Sequence, residues 1–321
     1  MNLISPAELS YITDSLFAEN RLDGRSLLQF REIHVSTQVI SQSAGSARVA
    51  CAGTDVLVGI RLETRDAKND QDADEGKAVQ ISLVVSSSAL QSLPSDPTLN
   101  LLSHVHLLTS SLAHHPQLVI LPFQKYWQLH IDISILSSGG GGNLYDILSI
   151  AVRSALWDLK IPRTKPVAYV KPGSKARGDD TEEGGESGMK ALLKGKKGAL
   201  DLRKGSAGGK GTGAADFEIL DYEAEAGEQL NDREKLPLSL SLNLTPQSHL
   251  PFLDATLFES FASPTRLTCT FDGLDNLRGM HQEIPDGSAT SAPNEISLVE
   301  LYNLIDVSLF LLREVSGQRF A

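Results

Sequence analysis

Cysteine is almost absent from this chain. Only Cys51 and Cys269 occur among 321 residues. Both sit in apolar alternating runs, which marks them as buried core thiols rather than a disulfide pair and suits a reducing compartment. Long apolar runs are missing as well. Each is broken by polar residues well short of the roughly 20 needed to span a bilayer, so no membrane partner is expected. Met1 to Ser10 has neither a basic region nor an extended apolar one, so no secretory signal is expected. Positive charge is in short supply. A formal net charge of -11 argues against a surface that coats nucleic acid as a whole, while leaving room for a local basic patch. Metal-ligand spacing is missing too. His104, His106, His114 and His115 are not set four apart and no second cluster accompanies them, so neither a metal nor a cofactor is expected. Finally, no arginine occurs between Arg65 and Arg153.

What is present is a core-forming pattern. With 41% hydrophobic residues, the chain can fill one large domain or two modest ones. Ser5-Pro-Ala-Glu8 reads as an N-cap followed by a first helical turn, with Pro at the first position and Glu at the third. Leu9, Ile12 and Leu16 follow at helical spacing. Asp23-Gly24 is a turn pair, because Gly accepts positive φ and Asp can bond its own backbone. Ile33, Val35, Thr37 and Val39 alternate, Ser46 to Cys51 forms a second run, and Val56, Val58, Ile60 and Leu62 alternate in a third. Period two predicts half-buried strands. Asp66 to Gly76 is an acidic loop, and Val79 to Val85 is a further strand. Thr98 to Leu112 is a helix. Tyr126 to Leu136 alternates with Trp127, Leu129, Ile131, Ile133 and Ile135 on one side.

After Gly139 to Gly142 comes a helix from Asn143 to Leu159 that is apolar around much of its circumference, the pattern of a centrally buried helix. Its small residues Ser149, Ala151, Ser154 and Ala155 permit close approach of a neighbour. Lys171 to Ala215 is glycine-rich and basic, and Asp216 to Glu234 is acidic. Low apolar content with high charge cannot offset the entropy of ordering. The span of about 171–235 is therefore expected to be a disordered charged insertion inside a single domain, 1–321. Strand patterns resume at Leu238, Leu240, Leu242 and Leu244, and again at Leu267, Cys269 and Phe271. A final helix runs from about Asn294 to Val315, with Leu298, Leu301, Tyr302, Ile305, Leu309 and Leu312 on one stripe. The expected class is α/β (α+β), with mixed sheets packed by helices.

Three segments carry a family resemblance. The first is Arg21-Leu-Asp-Gly-Arg25, followed by Phe30-Arg31, Gly45-Ser-Ala-Arg48 and Thr54 to Ile60. The second is Trp127-Gln-Leu-His-Ile-Asp132, the glycine stretch and Asn143-Leu-Tyr-Asp146. The third is Phe252-Leu-Asp254-Ala-Thr-Leu-Phe-Glu259. Together they resemble the ribonuclease PH family over residues 5–62, 79–170 and 238–315. Lys125-Tyr-Trp127, Asp254-Ala-Thr-Leu and Glu8-Leu-Ser-Tyr-Ile-Thr-Asp-Ser15 make the chain most similar, within that family, to a ring subunit of the eukaryotic RNA exosome. The resemblance implies a ribosomal protein S5 domain 2-like fold and a hetero-hexameric ring built from dimers of related subunits. It implies S1 and KH cap subunits, associated exoribonucleases and single-stranded RNA as partners. It also implies a place in the nucleus, nucleolus and cytoplasm, supporting rRNA maturation and mRNA turnover. Asp23, Gly24, Arg25, Arg31, Arg48 and Asp254 are then family-signature structural residues, with Arg25 paired internally.

Active relatives cut RNA by phosphorolysis. That chemistry needs arginines to hold the attacking phosphate and carboxylates to handle a proton or a divalent metal. The resemblance places an acid where this chain has Ser137-Ser138, arginines where it has none, and further acids where it has Ser260-Phe-Ala-Ser263. A non-catalytic subunit is therefore expected, with no catalytic residues; the alternative is an active phosphate-dependent 3′-to-5′ exoribonuclease. Asp254 is either a relic carboxylate or a turn-former capping local backbone, and its position in the motif favours the turn. Gly139 to Gly142 lacks the Lys-Ser/Thr of a phosphate loop. The candidate RNA contacts are Lys125, at a strand start, and Lys190, Lys194, Lys196, Lys197, Arg203 and Lys204 in the insertion, acting as an electrostatic tether.

Overall fold

Ser5 caps the first helix as its sequence requires. Its hydroxyl accepts from the Glu8 amide, and the Glu8 carboxylate accepts from the Ser5 amide in return. The computed structural model describes residues 4–66, 78–92, 98–122, 124–139, 143–168, 214–220, 227–245, 250–263, 265–283 and 296–319. The described elements run, in chain order, α1 (Pro6–Phe17), β1 (Ile33–Thr37), β2 (Gly45–Cys51), β3 (Thr54–Asp66) and β4 (Val79–Val85). Next come α2 (Ser87–Ser92), α3 (Thr98–Thr109), β5 (Val119–Leu121), β6 (Lys125–Ser138) and α4 (Leu144–Asp158). Then follow β7 (Lys160–Ile161), β8 (Thr164–Ala168), β9 (Ala214–Ile219) and β10 (Glu228–Gln229). The last are β11 (Leu238–Leu244), β12 (Pro251–Leu253), α5 (Leu257–Ala262), β13 (Thr265–Phe271), β14 (Leu277–Glu283) and α6 (Leu298–Arg319).

The strands form two larger sheets and two two-stranded ladders, β7 with β10 and β8 with β9. The first has the order β1-β2-β3-β6-β4, with β5 added to β6. All its pairings are antiparallel except β4 with β6. The second has the order β12-β11-β13-β14 and is antiparallel throughout. Helix α4 packs on β2 and β3 of the first sheet and on β11 of the second. This two-sided contact explains its sequence: all thirteen residues from Leu144 to Leu156 are buried. Small side chains let the sheets close in. A Cβ on Gly45 would stand 2.6 Å from the Ala155 carbonyl oxygen.

The second sheet is buried on both faces along β11 and β13, where alternation alone predicted half-burial. The reason is a second cover. Helix α6 packs on β11 and β13 from the other side, and Ser308 of α6 meets Cys269 of β13. The polar row in these strands is satisfied internally. Ser239 pairs with Thr270 at 2.8 Å and Ser241 with Thr268 at 3.1 Å, hydroxyl to hydroxyl across the strands. Cys51 and Cys269 are buried and form no disulfide.

Three expectations change. The stripe on α6 is rotated: Leu304, Ser308, Leu311 and Leu312 are buried, while Leu298 (73% exposed) and Tyr302 (69%) face outward. Apolar residues occur on more than one face of this helix, so periodicity could not choose the row that meets the sheet. Along β1 only Ile33 is buried, and Val35 is exposed, because β1 is the edge of its sheet. The charged span 171–235 lies outside the described residues at 171–213 and 221–226. Its other parts are ordered: β9 pairs with β8, β10 pairs with β7, and Leu230 is buried. Backbone ladders need no apolar side chains, so composition missed them. The acidic loop 67–76 also lies outside the described residues. The chain divides into two compact units, Met1–Arg163 with Leu220–Ala321, and Thr164–Ile219. Among the described residues no helix is long and apolar enough to cross a membrane.

Candidate functional site at the start of the central helix

The charged turn before β1 lies against the first turn of α4 and the turn that follows β12. Gly24 has φ +76°, the left-handed conformation glycine tolerates, and its amide closes onto the Arg21 carbonyl at 3.0 Å. That bend splays three arginines towards two carboxylates. Arg21 is buried. Its Nε and Nη2 donate to Glu259 at 2.9 and 2.5 Å, and its Nη1 and Nη2 donate to the Leu253 and Asp254 carbonyls, both at 2.9 Å. Glu259 is itself held by the capping box of α5, accepting from the Thr256 amide.

Asp254 is the hub. Its Oδ2 accepts from Arg25 Nη1, the Arg31 amide and Arg31 Nε, each at 2.8 Å. Its Oδ1 accepts from Arg31 Nη2 at 2.7 Å and from Asn143 Nδ2, at the N-cap of α4, at 2.9 Å. The residue is fully buried and sits at φ +47°, a conformation Asp adopts more readily than most L residues. Burial pushes its carboxyl up, but the Arg31 hydrogen bond and charge outweigh that and hold it below the usual carboxylate range. The Arg31 guanidinium is raised in turn by its bond to Asp254. Asp23 completes the group, accepting from Arg25 Nε at 2.6 Å.

The structure therefore brings together Asp23, Gly24, Arg25, Arg31 and Asp254, and pairs Arg25 internally as expected. It also corrects the reading of Asp254. The carboxylate caps no local turn; it joins segments more than two hundred residues apart in sequence. Arg21 and Asn143 are members of the cluster to which sequence reasoning gave no role; their place in the two matching motifs was the available signal. Arg48 stands apart, bonded through Nη2 to Asp55 at 2.5 Å across the β2–β3 hairpin. Lys125 starts β6, opposite Asp66. Roughly 40 Å of extended strand separates it from Ser138, so it does not join the cluster. Lys190, Lys194, Lys196, Lys197, Arg203 and Lys204 lie outside the described residues.

The residues leading into α4 are engaged in internal contacts. Ser137 and Ser138 donate their hydroxyls to the carbonyls of Gly53 and Ala89, at 2.6 and 2.9 Å. Gly139 serves close approach: a Cβ there would lie 2.7 Å from the Gly53 carbonyl oxygen. The buried residues of α3 are Leu101, His104, Val105, Leu108 and Thr109. His104 stacks edge-on against Tyr145 with ring centroids 5.2 Å apart. Burial, with His281 nearby, lowers its pKa to about 4, so it carries no charge at neutral pH. Among the described residues no group of three or more His, Cys, Asp or Glu could hold a metal ion.

The chain is similar to several known proteins. Residues 29–162 match the model of the 3′ exoribonuclease family, domain 1 (RNase PH). The chain is 32% identical over 167 residues to the exosome complex component Rrp42 of Methanothermobacter thermautotrophicus, covering 50% of this chain and 60% of that relative. It is 27% identical over 220 residues to the putative exosome complex exonuclease RRP42 of Dictyostelium discoideum, covering 52% of this chain and 67% of that one. In fold it is similar to a chain of the Archaeoglobus fulgidus exosome with RNA bound to the active site. There the TM-score is 0.64 at 19% identity, over 97% of both chains.

Proposed function

From the match of residues 29–162 to the RNase PH family model, we propose that the chain is a non-catalytic subunit of an exosome core ring. It would support 3′-to-5′ RNA processing by assembling the ring and guiding single-stranded RNA through its channel. One observation carries the non-catalytic part. Every arginine at the start of α4 is already committed, Arg21 to Glu259 and Arg25 and Arg31 to Asp254. A phosphate nucleophile needs guanidinium groups that it can bridge. Here each would first have to leave a buried carboxylate, which costs several kcal/mol. The serines at 137 and 138 and the arginine-free face of α3 point the same way.

Assembly is supported by apolar surface that a lone chain leaves in water. Val35 on the edge strand β1, and Val299, Tyr302 and Phe310 on α6, are all exposed. Burial against neighbouring ring subunits of the same family would remove this surface. S1 and KH cap subunits and associated exoribonucleases belong to the same reading, as does a nuclear, nucleolar and cytoplasmic location, for which two buried thiols without a disulfide suit a reducing compartment. RNA would be met electrostatically by Lys125 and by the insertion side chains Lys194, Lys196, Lys197, Arg203 and Lys204. The deciding experiment incubates the chain, alone and with ring partners, with single-stranded RNA and inorganic phosphate. No release of nucleoside diphosphates attributable to this subunit is expected. Release that disappears in Asp254→Asn would overturn the reading in favour of phosphorolysis.

A further inference from the structure

Among the described residues, no ion pair includes the buried carboxyl of Asp146. Asp146 sits in the first turn of α4, is 1% exposed, and neither of its carboxylate oxygens has a hydrogen-bond partner that meets normal geometry. The charges around it are already allocated. Arg25 and Arg31 are spent on Asp254, and so is the Asn143 amide three residues upstream. From β13, Arg266 donates to Asn243 at 3.2 Å and faces Glu283 of β14 at 3.6 Å. From β11, Ser241 is the polar neighbour, but its hydroxyl is shared with Thr268. From α3, His104 is uncharged. On β2 and β3, Arg48 and Asp55 neutralise each other. The nearest net influence from the turn before α5 is the negative carboxylate of Asp254, which opposes a second anion.

We propose that Asp146 is a neutral carboxylic acid in the folded protein at neutral pH, and that its ionisation is a built-in device that loosens the start of α4 from the Arg25–Arg31–Asp254 cluster. An unpaired anion in this core would have neither water nor a free cation to stabilise it. A protonated carboxyl needs neither, and it can donate towards Ser241. Burial is the main cause that pushes the Asp146 pKa up to about 8; Ser241 and the Arg266 charge pull it down, Asp254 adds to the rise, and burial outweighs the opposing groups. Its folded-state value is therefore above that of the unfolded chain, where Asp titrates near 4. Between these values the folded state binds the extra proton. Stability falls as pH rises through that window, by about tenfold in the folding equilibrium per pH unit, and levels off once both states are ionised.

The test compares the full-length protein with Asp146→Asn by thermal unfolding between about pH 5 and about pH 9. The expected result is a stability advantage for Asp146→Asn that grows with pH and flattens near pH 8. A difference independent of pH, or one that shrinks as pH rises, would overturn the proposal. A second readout uses the unmutated chain with carbon-13 in its aspartate carboxyls, so it does not depend on the variant folding. A protonated Asp146 signal at neutral pH is expected, with faster amide exchange at Tyr145 and Asp146 once it ionises. An ionised signal at neutral pH would refute it.

Discussion

At the scale of single residues, Asp254 decides more than any other position. Five donors converge on its carboxylate, four of them from arginines. Removing it with Asp254→Ala would leave Arg31 largely buried without its carboxylate and Arg25 with Asp23 alone. The expected cost is about 3 kcal/mol of stability, read from the midpoint of urea unfolding, with Asp254→Asn losing less because its amide still accepts one bond. The pH dependence has the opposite sign to that of Asp146. The Asp254 pKa is depressed, so its contribution is present above the unfolded value near 4 and is lost as pH falls through the folded one. Stability of the unmutated chain should therefore fall with acid over that window, and this acid limb of the stability curve should flatten in Asp254→Asn. A variant with an unchanged acid limb would show that the cluster contributes nothing. The members of this site were visible in the sequence as a charged turn and an Asp-containing motif. Their partnership was not, because local hydrogen bonds are the only kind that spacing reveals, and these span 223 and 229 positions.

At the scale of elements, the sequence was most readable where one neighbour dictates the pattern and least where two compete. Helix α1 was fully specified by its own cap and by Ile12 and Leu16, which pack with Phe252 and Ala255. Ser5→Ala should remove the capping box and cost about 1 kcal/mol, measured by chemical denaturation. Helix α4 was readable because an apolar circumference admits only a central position. For α6 the apolar residues exceed what one face can bury, and the serine at 308, which a stripe argument discards, turned out to face the sheet. Strand β1 alternates correctly but has no layer to cover it. The contact between β2 and α4 gives a sharper test than either. Gly45→Ala places a methyl group 2.6 Å from the Ala155 carbonyl oxygen and 2.8 Å from the Leu159 Cα. Both are backbone atoms that cannot swing aside, so a loss of about 1–3 kcal/mol is expected. A Gly45→Ala protein as stable as the parent would mean that α4 can shift along the sheet.

At the scale of the whole molecule, charge is unevenly shared. Residues 171–213 carry ten lysines and arginines against six acids, while the rest of the chain carries nineteen against thirty-four. An acidic protein repels the RNA backbone, so any RNA binding depends on concentrating positive charge in a few places. The boundaries for testing this follow from the strands. The ladder between β8 and β9 pairs Ala168 with Ala214, so 171–213 can be excised and closed by a short turn, whereas a cut reaching 232 would remove β9 and β10. The excised protein should keep the unfolding transition of the parent, because the sheets and helices among the described residues are built without the deleted segment. On the proposed ring role, it should also assemble with the same neighbours as the parent. Its affinity for single-stranded RNA should fall, and the slope of log affinity against log salt should become shallower by somewhat less than one for each phosphate no longer neutralised. Replacing Lys194, Lys196, Lys197, Arg203 and Lys204 by glutamine within the full-length chain should reproduce most of that change without shortening anything. Unaltered affinity and salt slope in both proteins would remove the insertion from RNA handling and leave Lys125 as the remaining candidate. An abolished unfolding transition in the excised protein would instead show that 171–213 contributes to the fold.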